Sequence, residues 1–351
     1  MTTQLLPRAR LVDVLLRRAP LVGSRCATRL PRGLISPVEA RLRMGLDYGD
    51  LFEEEVSYLE NASVRRNIRV VLHAALSALF SSRNGGQAGP ARPFIVSARV
   101  DNVTASEAIE LILAPARDRA RVVAFAHAHA LNLAALDRRF AEELARADLV
   151  LPDGIGIRLA AHLLGTGLRS NVNGTDLIPL LSAAAAERKI PIVLIGGAEG
   201  VAQRAAAGLR ACHPLLQIPL VSHGFLDADQ ATDLADRIRA LGRCVVLIGM
   251  GSPIQEHWVR RYLADIPNIT TVTVGGLFDF VSGAQRRAPV ALREFGLEWA
   301  YRLSQEPRRL AVRYLLGNPL FLALTLSQRI LGRRWARNGP GGSSPEPLTE
   351  R

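Results

Sequence analysis

From residue 121 onward the chain alternates two kinds of stretch. Short runs dense in Val, Ile and Leu are RVVAFAHAHA (121–130), DLVLPDG (148–154), PIVLIGG (191–197), CVVLIGMG (244–251) and TTVTVGG (270–276). Between them lie longer Ala- and Leu-rich stretches with helical spacing, among them ALDRRFAEELARA, IRLAAHLLG, VAQRAAAGLRAC and QEHWVRRYLADI. Strands separated by helices of this length pair in parallel through right-handed crossovers, which predicts an α/β fold with a parallel sheet flanked by helices. Most of the short runs end in glycine or Asp-Gly turns. Ligands of open parallel sheets sit at the carboxyl ends of the strands, so these turns should converge on one cleft.

The pattern lapses in two places. SSRNGGQAGPARP (81–93) is small, polar and aperiodic and reads as a linker, and NGPGGSSPEPLTER (338–351) reads as a disordered tail. Residues 94–285 then form the core, preceded by a separate segment, 1–80. Residues 286–337 form a basic helical appendage. There, LEWAYRL and RRLAVRYLLGNPLFLAL repeat apolar residues at helical spacing, with eleven arginines against three acids, Glu294, Glu298 and Glu306. Such a run is either a solvated charged face or a surface for anionic lipid, with single-stranded nucleic acid as the weaker competitor because no nucleic-acid-binding signature is present.

Composition adds charge to this picture. The 351 residues carry a formal charge of +12, and Lys189 is the sole lysine among 44 basic residues. Guanidinium groups donate paired hydrogen bonds that suit phosphate, so phosphorylated small molecules and anionic lipid are the expected partners. Cys26, Cys212 and Cys244 lie far apart with no metal-ligand spacing, and a reducing cytoplasm is expected. The longest apolar run near the N-terminus, 70–80, is too short to span a bilayer, so membrane association is expected at the surface.

Five stretches carry candidate chemistry. In LPDGIGI, Asp153 stands at a strand tip, where it is either a general base facing the cleft or the cap of an Asp-Gly turn. IGGAEG places Gly196 and Gly197 where backbone N–H groups could approach phosphate, or where a tight connection simply needs glycine. In IGMGSPIQEHW, Ser252 and Glu256 fit a capping role after Gly251, whereas Gln255 reads as a ligand contact. His127 and His129 alternate along the predicted strand and share one face. They read as a pocket wall or hydrogen-bonded buried histidines, and no metal is expected because no matching ligand cluster accompanies them. In VGGLFDFVSGAQRRAP, Asp279 sits among apolar residues shortly before Arg286 and Arg287, which fits either a core aspartate or a pocket floor.

In order and approximate spacing, LVLPDGIGIRLAAHLLG, NVNGTDLIP, PIVLIGGAEGVAQRAAAGLRACHP, HGF, VVLIGMGSPIQEHW, VGGLFDFVSGAQRRAP and GLEWAYRLSQEPRRLAVRYLLGNP resemble the WecG/TagA/CpsF family of bacterial glycosyltransferases. The resemblance runs from about Pro93 to Phe321. It implies a Rossmann-like core, a C-terminal appendage completing the site at the membrane, and an inverting transfer without metal or cofactor. The donor would be a UDP-sugar and the acceptor a sugar on polyprenyl diphosphate. The setting would be the cytoplasmic face of the plasma membrane, in exopolysaccharide or other surface-glycan assembly.

By the same resemblance, Asp153 is the general base. Gln255 lines the donor site, Phe225 and Asp279 surround the uracil, and Arg302, Arg309 and Arg313 bind diphosphate. The chain departs from many members at Phe125 and His127, which replace a Thr-x-Asn pair, and at Asn171, which stands where relatives carry arginine. These departures keep a non-catalytic nucleotide-sugar-binding or scaffolding subunit as the alternative function. A nicotinamide-dependent enzyme is excluded by the lack of G-x-G-x-x-G in its strand-turn-helix setting. Monomer and homo-oligomer both remain open.

The first segment stands apart. RGLISPVEARLRMGLDYGDLFEEEVSYLENASVRRNIRVVLHAAL resembles the C-terminal portion of bacterial initiating sugar transferases without their catalytic part, which implies a docking module or remnant. Arg65, Arg66 and Arg69 beside an apolar stretch would suit an interfacial helix.

Overall fold

The computed structural model describes residues 91–283, 287–289, 292–293 and 296–332, with positions 68 and 70–72 in addition. The segment likened to initiating transferases lies outside these residues apart from those four positions. Arg286 and the tail also lie outside them.

A short antiparallel hairpin, β1 (Phe94–Ile95) and β2 (Ala98–Arg99), leads into α1 (Ala105–Leu113), β3 (Arg121–Ala126), α2 (Ala128–Leu136), α3 (Arg138–Arg146) and β4 (Leu149–Pro152). Next come α4 (Ile155–Leu163), α5 (Gly174–Glu187), β5 (Ile192–Gly196), α6 (Val201–Cys212), β6 (Val221–Ser222), α7 (Ala228–Leu241) and β7 (Cys244–Gly249). The series continues through α8 (Ile254–Tyr262), β8 (Ile269–Thr273) and α9 (Leu277–Val281). The appendage holds α10 (Glu298–Gln305), α11 (Pro307–Ala311), a π-helical turn (Val312–Leu316) and α12 (Gly317–Leu331). Strands β3 to β8 form one six-stranded sheet in the order β4-β3-β8-β7-β5-β6, with every pairing parallel.

The sheet is buried on both faces, which explains its near-continuous apolar runs. Side chains alternate across it. Ile192 and Leu194 of β5 join a core with α1, α5 and α6, whereas Val193 and Ile195 join one with α7 and α8 on the other face. On that second face, Ala124 and Ala126 of β3 pack with α2, α3, α4 and the hairpin. The predicted three-layer α/β architecture is therefore present, and the hairpin and β6 join the five strands foreseen.

Two local features differ from expectation. β3 stops at Ala126, and His127 caps α2 by accepting from the Ala130 N–H through Nδ1 at 3.0 Å, so the two histidines do not alternate along a strand. The stretch read as one helix after them is split at Asp137, whose carboxylate caps α3 by accepting from the N–H groups of Arg139 and Phe140. A side chain that satisfies orphan N–H groups starts a new helix there.

The connections from β3 and β5 leave in opposite directions, β3 toward the edge strand β4 and β5 toward the edge strand β6. Such a reversal opens a crevice at the carboxyl ends of the central strands. The appendage closes over part of it. α12 packs on α2 and α4, with Phe321 and Thr325 buried. Its attachment is also polar, since Asn132 donates to the Gly317 carbonyl at 2.7 Å and Gln328 donates to the Phe94 carbonyl at 2.9 Å. Gln328 accepts in turn from the Val96 N–H at 2.7 Å, and Arg329 donates to the Leu163 carbonyl at 2.7 Å.

Candidate active site

A cavity of about 690 Å³ opens where the ends of β3 and β4 meet the appendage. Of the residues singled out from sequence, His127, Asp153, Asn171, Arg302 and Arg313 line it. Gly196, Gly197, Phe225, Gly251, Ser252, Gln255, Asp279 and Arg309 do not. These follow β5, β6, β7 and β8, except Arg309, which lies on α11, so the strand-end residues continue the same carboxyl edge of the sheet away from the cavity.

Asp153 follows β4 directly, and its N–H donates to the Ala126 carbonyl at the end of β3 at 2.8 Å, which sets it beside His127. The cap of α4 is Gly154, with φ of 92° and no side-chain capping bond, so the capping alternative for Asp153 does not hold. Glycine is the residue that takes this backbone geometry without strain. Asn171 holds the turn in place, accepting from the Gly154 N–H at 2.7 Å. The Asp153 carboxylate accepts no hydrogen bond from a described residue and faces the cavity.

Electrostatics tune that carboxylate. Burial, and then the Glu298 carboxylate, raise the Asp153 pKa to about 7, while the guanidinium groups of Arg302 and Arg313 hold it back from rising further. A carboxyl poised near neutrality is matched to taking a proton from a hydroxyl. The histidines are kept neutral. Burial, followed by the charge of Arg313, lowers His129 to about 4 and drives His127 well below its ordinary value. Their rings stack with centroids 6.1 Å apart and planes 3° from parallel.

The cations come from the appendage. Arg313 is largely withdrawn from solvent, and burial lowers its pKa. Among the described residues, the buried Nε atoms of Arg293, Arg302 and Arg313 have no hydrogen-bond partner and are donors that suit an anion. Arg293 also approaches Asp176, which pairs with Arg287 and accepts from Asn173 Nδ2 at 2.7 Å. Sequence reasoning missed Glu298 and Arg293 as parts of this pocket, whereas His129 lines it as one of the two readings of the histidine pair expected. Glu298 carried a readable signal, being one of three acids in an arginine-rich stretch. Arg293 carried none, since only the fold brings it to the cavity.

Farther along the edge, the glycines answer to packing. A Cβ on Gly196 would meet the Gly249 carbonyl oxygen at 2.3 Å, so the pairing of β5 with β7 demands glycine there. Gln255 is buried and fully employed, contrary to the view that only a ligand would give it a role. Its Oε1 accepts from the N–H groups of Gly251 at 3.2 Å and Gly275 at 3.0 Å, while Nε2 donates to Ser252 Oγ and Glu256 Oε1. It therefore ties the loop after β7 to the loop after β8. Phe225 projects from the loop after β6 with 77% of its surface exposed. Asp279, on α9, has its pKa raised chiefly by burial, with Arg309 and Arg302 opposing.

Among the described residues, no group of three or more His, Cys, Asp and Glu side chains is placed to hold a metal ion. The arrangement is that of a parallel α/β enzyme with one poised carboxylate, neutral histidines and appended arginines at a strand-end crevice. Residues 94–335 match the profile of the glycosyl transferase WecG/TagA/CpsF family, and the chain belongs to that family, an enzyme of the glycosyltransferase class. The match begins after the segment likened to initiating transferases and gives that likeness no support.

The chain is 34% identical over 188 residues to the N-acetylglucosaminyldiphosphoundecaprenol N-acetyl-beta-D-mannosaminyltransferase of Bacillus spizizenii, covering 54% of this chain and 72% of that protein. Against the Bacillus subtilis enzyme of the same name it is 30% identical, covering 49% and 67%. Against the Staphylococcus aureus one it is 26% identical, covering 55% and 74%.

Proposed function

We propose that the chain transfers a hexose or N-acetylhexosamine from a UDP-sugar to a sugar carried on polyprenyl diphosphate, inverting the anomeric centre, in the assembly of a surface glycan such as an exopolysaccharide. The observation that carries this reading is the Asp153 carboxylate, without a hydrogen bond among the described residues and raised to about 7, in a cavity that Arg302 and Arg313 also line. In the step envisaged, Asp153 takes the proton of an acceptor hydroxyl as its oxygen bonds to the anomeric carbon. The bond from that carbon to the donor phosphate breaks, and UDP leaves with the electron pair. Arg302, Arg313 and the more exposed Arg309 would stabilise the charge on the diphosphates.

The nucleotide would lie along the carboxyl edge toward β5 and β6. Phe225 offers a face for the uracil and Asp279 an acceptor for its imide N–H. Gly196, Gly197, Gly251 and Ser252 shape the edge, and Gln255 acts by holding two of its loops. The names of the relatives above supply the acceptor class, and a parallel edge with an apolar-walled cavity suits it.

The appendage suits the lipid. The helical run Pro307–Leu331 is long and apolar enough to cross a membrane by length and composition, which the sequence reading did not anticipate. Its hydrogen bonds to Phe94, Val96, Asn132 and Leu163 fasten it along the core. We therefore assign it a peripheral role at the cytoplasmic leaflet, with Val312, Leu316 and Ile330, each more than 60% exposed, entering the interface.

The test is UDP release by the purified chain across a panel of UDP-sugars, with and without a short-chain polyprenyl-diphosphate sugar in detergent. Acceptor-dependent release with one donor is the expected result. UDP binding without turnover on any pair would overturn the reading in favour of a scaffolding subunit.

A further inference from the structure

The capping bond of His127 fixes more than the start of α2. Because the Ala130 N–H donates to Nδ1, that nitrogen must hold a lone pair, and in the neutral ring the proton sits on Nε2. Stacking on His129 sets the plane of the ring, and Nε2 is the ring nitrogen that the capping bond does not engage. The ring lines the cavity beside Asp153, at the adjacent strand end.

We propose that His127 is an uncharged hydrogen-bond donor to substrate, its Nε2–H reaching a neutral sugar oxygen, hydroxyl or acyl, next to the carbon where the new bond forms. This deepens the transferase reading and rests on it. The charged and titratable groups around the ring are Arg313 and Arg302, with His129 in contact and the Asp153 carboxylate at the adjacent strand end. Their guanidinium groups are the better partners for phosphate, which leaves the neutral donor to an uncharged oxygen. Such a division distinguishes anchoring the diphosphates from orienting the sugar between them. A donor that is already fixed in tautomer and ring plane also loses little freedom when the substrate arrives.

His127→Asn separates the two roles of the residue. Asparagine is a good helix cap and still accepts from the Ala130 N–H, so α2 and the melting temperature should be preserved, while the reach of Nε2–H is lost. In the full chain kcat/KM should fall about tenfold or more, with UDP affinity by calorimetry unchanged. An effect confined to KM for the nucleotide sugar places the oxygen on the donor, and one confined to KM for the lipid-linked sugar places it on the acceptor. Unchanged kinetics, or a loss of UDP affinity, overturns the proposal.

A second measurement does not depend on turnover. Nitrogen-15 spectra of histidine-labelled protein should show His127 with Nε2 protonated and Nδ1 unprotonated between about pH 6 and 8, and the opposite tautomer would overturn the proposal. A chain with this tautomer and no turnover on any substrate would instead sink the transferase reading.

Discussion

The guanidinium carbon of Arg302 lies 4.9 Å from the centre of the Phe280 ring, so the appendage and the helix after β8 meet at a cation–π contact. The same arginine lines the cavity that holds Asp153 and lowers the pKa of both Asp153 and Asp279. One side chain therefore couples the proposed base to the proposed nucleobase acceptor. The appendage therefore helps to wall the cavity, in addition to the lipid contact proposed for it. Arg302→Ala should raise the apparent pKa of the acid limb of kcat, because a cation that favours the ionised carboxylate is removed. Arg302→Lys keeps the charge but not the planar stacking and should recover the pH profile better than the rate. A pH–rate series on the two variants decides this.

Asp153→Asn should abolish transfer while UDP still binds. It should also stabilise the protein, with a sign that follows from linkage. The folded pKa of about 7 exceeds the ordinary value of 3.8, so the folded state binds the extra proton between those values. Stability from this group is full below the unfolded pKa and is lost as pH rises through about 7. The variant should therefore melt at a higher temperature than the parent at pH 8, by about 1–3 kcal/mol of stability, and the gap should narrow as the pH falls below about 7 and close only near 3.8. A lower melting temperature at pH 8 would mean that the carboxylate has a stabilising partner in solution.

Glu298 is the second-largest cause of the raised Asp153 pKa. Glu298→Gln should therefore move the acid limb of the pH–rate profile to lower pH while leaving the plateau within a few-fold. An unmoved limb would show that desolvation alone poises the base. Measuring kcat against pH for parent and variant with saturating substrates separates the cases.

The sheet was legible because β5 and β7 carry unbroken apolar runs that end in glycine and β8 a β-branched run followed by two glycines, patterns suited to doubly buried parallel strands. The hairpin at Phe94 and strand β6 escaped because a two-residue strand has no period to read. His127 was misplaced for a related reason. AFAHAHA alternates like a strand, yet the His127 ring accepts from the Ala130 N–H and so starts a helix, a choice that periodicity does not record. Asp153, Arg302 and Arg313, which the fold brings to one cavity, were singled out through the order of motifs, as was Arg309, which lies outside it. The job of Gln255 stayed hidden because its partners are backbone N–H groups at Gly251 and Gly275, 20 residues from it at the farther.

That job makes a prediction. Gln255→Ala would leave the N–H groups of Gly251 and Gly275 without their shared acceptor in a buried setting, at a cost of roughly 2–4 kcal/mol. Gln255→Glu keeps the acceptor but loses the Nε2 donation and sets two carboxylates against each other at Glu256, so it should also destabilise at neutral pH and recover as the solution is acidified. Burial already raises the Glu256 pKa, which makes that recovery begin above the ordinary carboxylate range. Denaturant melts at two pH values test both variants.

The outward face of the appendage can be tested apart from the chemistry. Leu316 is 67% exposed and Ile330 82% exposed, and neither lines the cavity or belongs to the buried cores. Replacing both by glutamate should leave the fold intact, since no packed contact is lost, while opposing insertion of the helix into an anionic interface. The parent should sediment with phosphatidylglycerol-containing vesicles and be released in part by salt; the double variant should stay in the supernatant. With a detergent-solubilised short-chain acceptor the two proteins should turn over alike, and they should diverge on a long-chain acceptor in vesicles. Equal sedimentation would place the lipid contact elsewhere, and equal loss on both acceptors would mean that this face shapes the cavity itself.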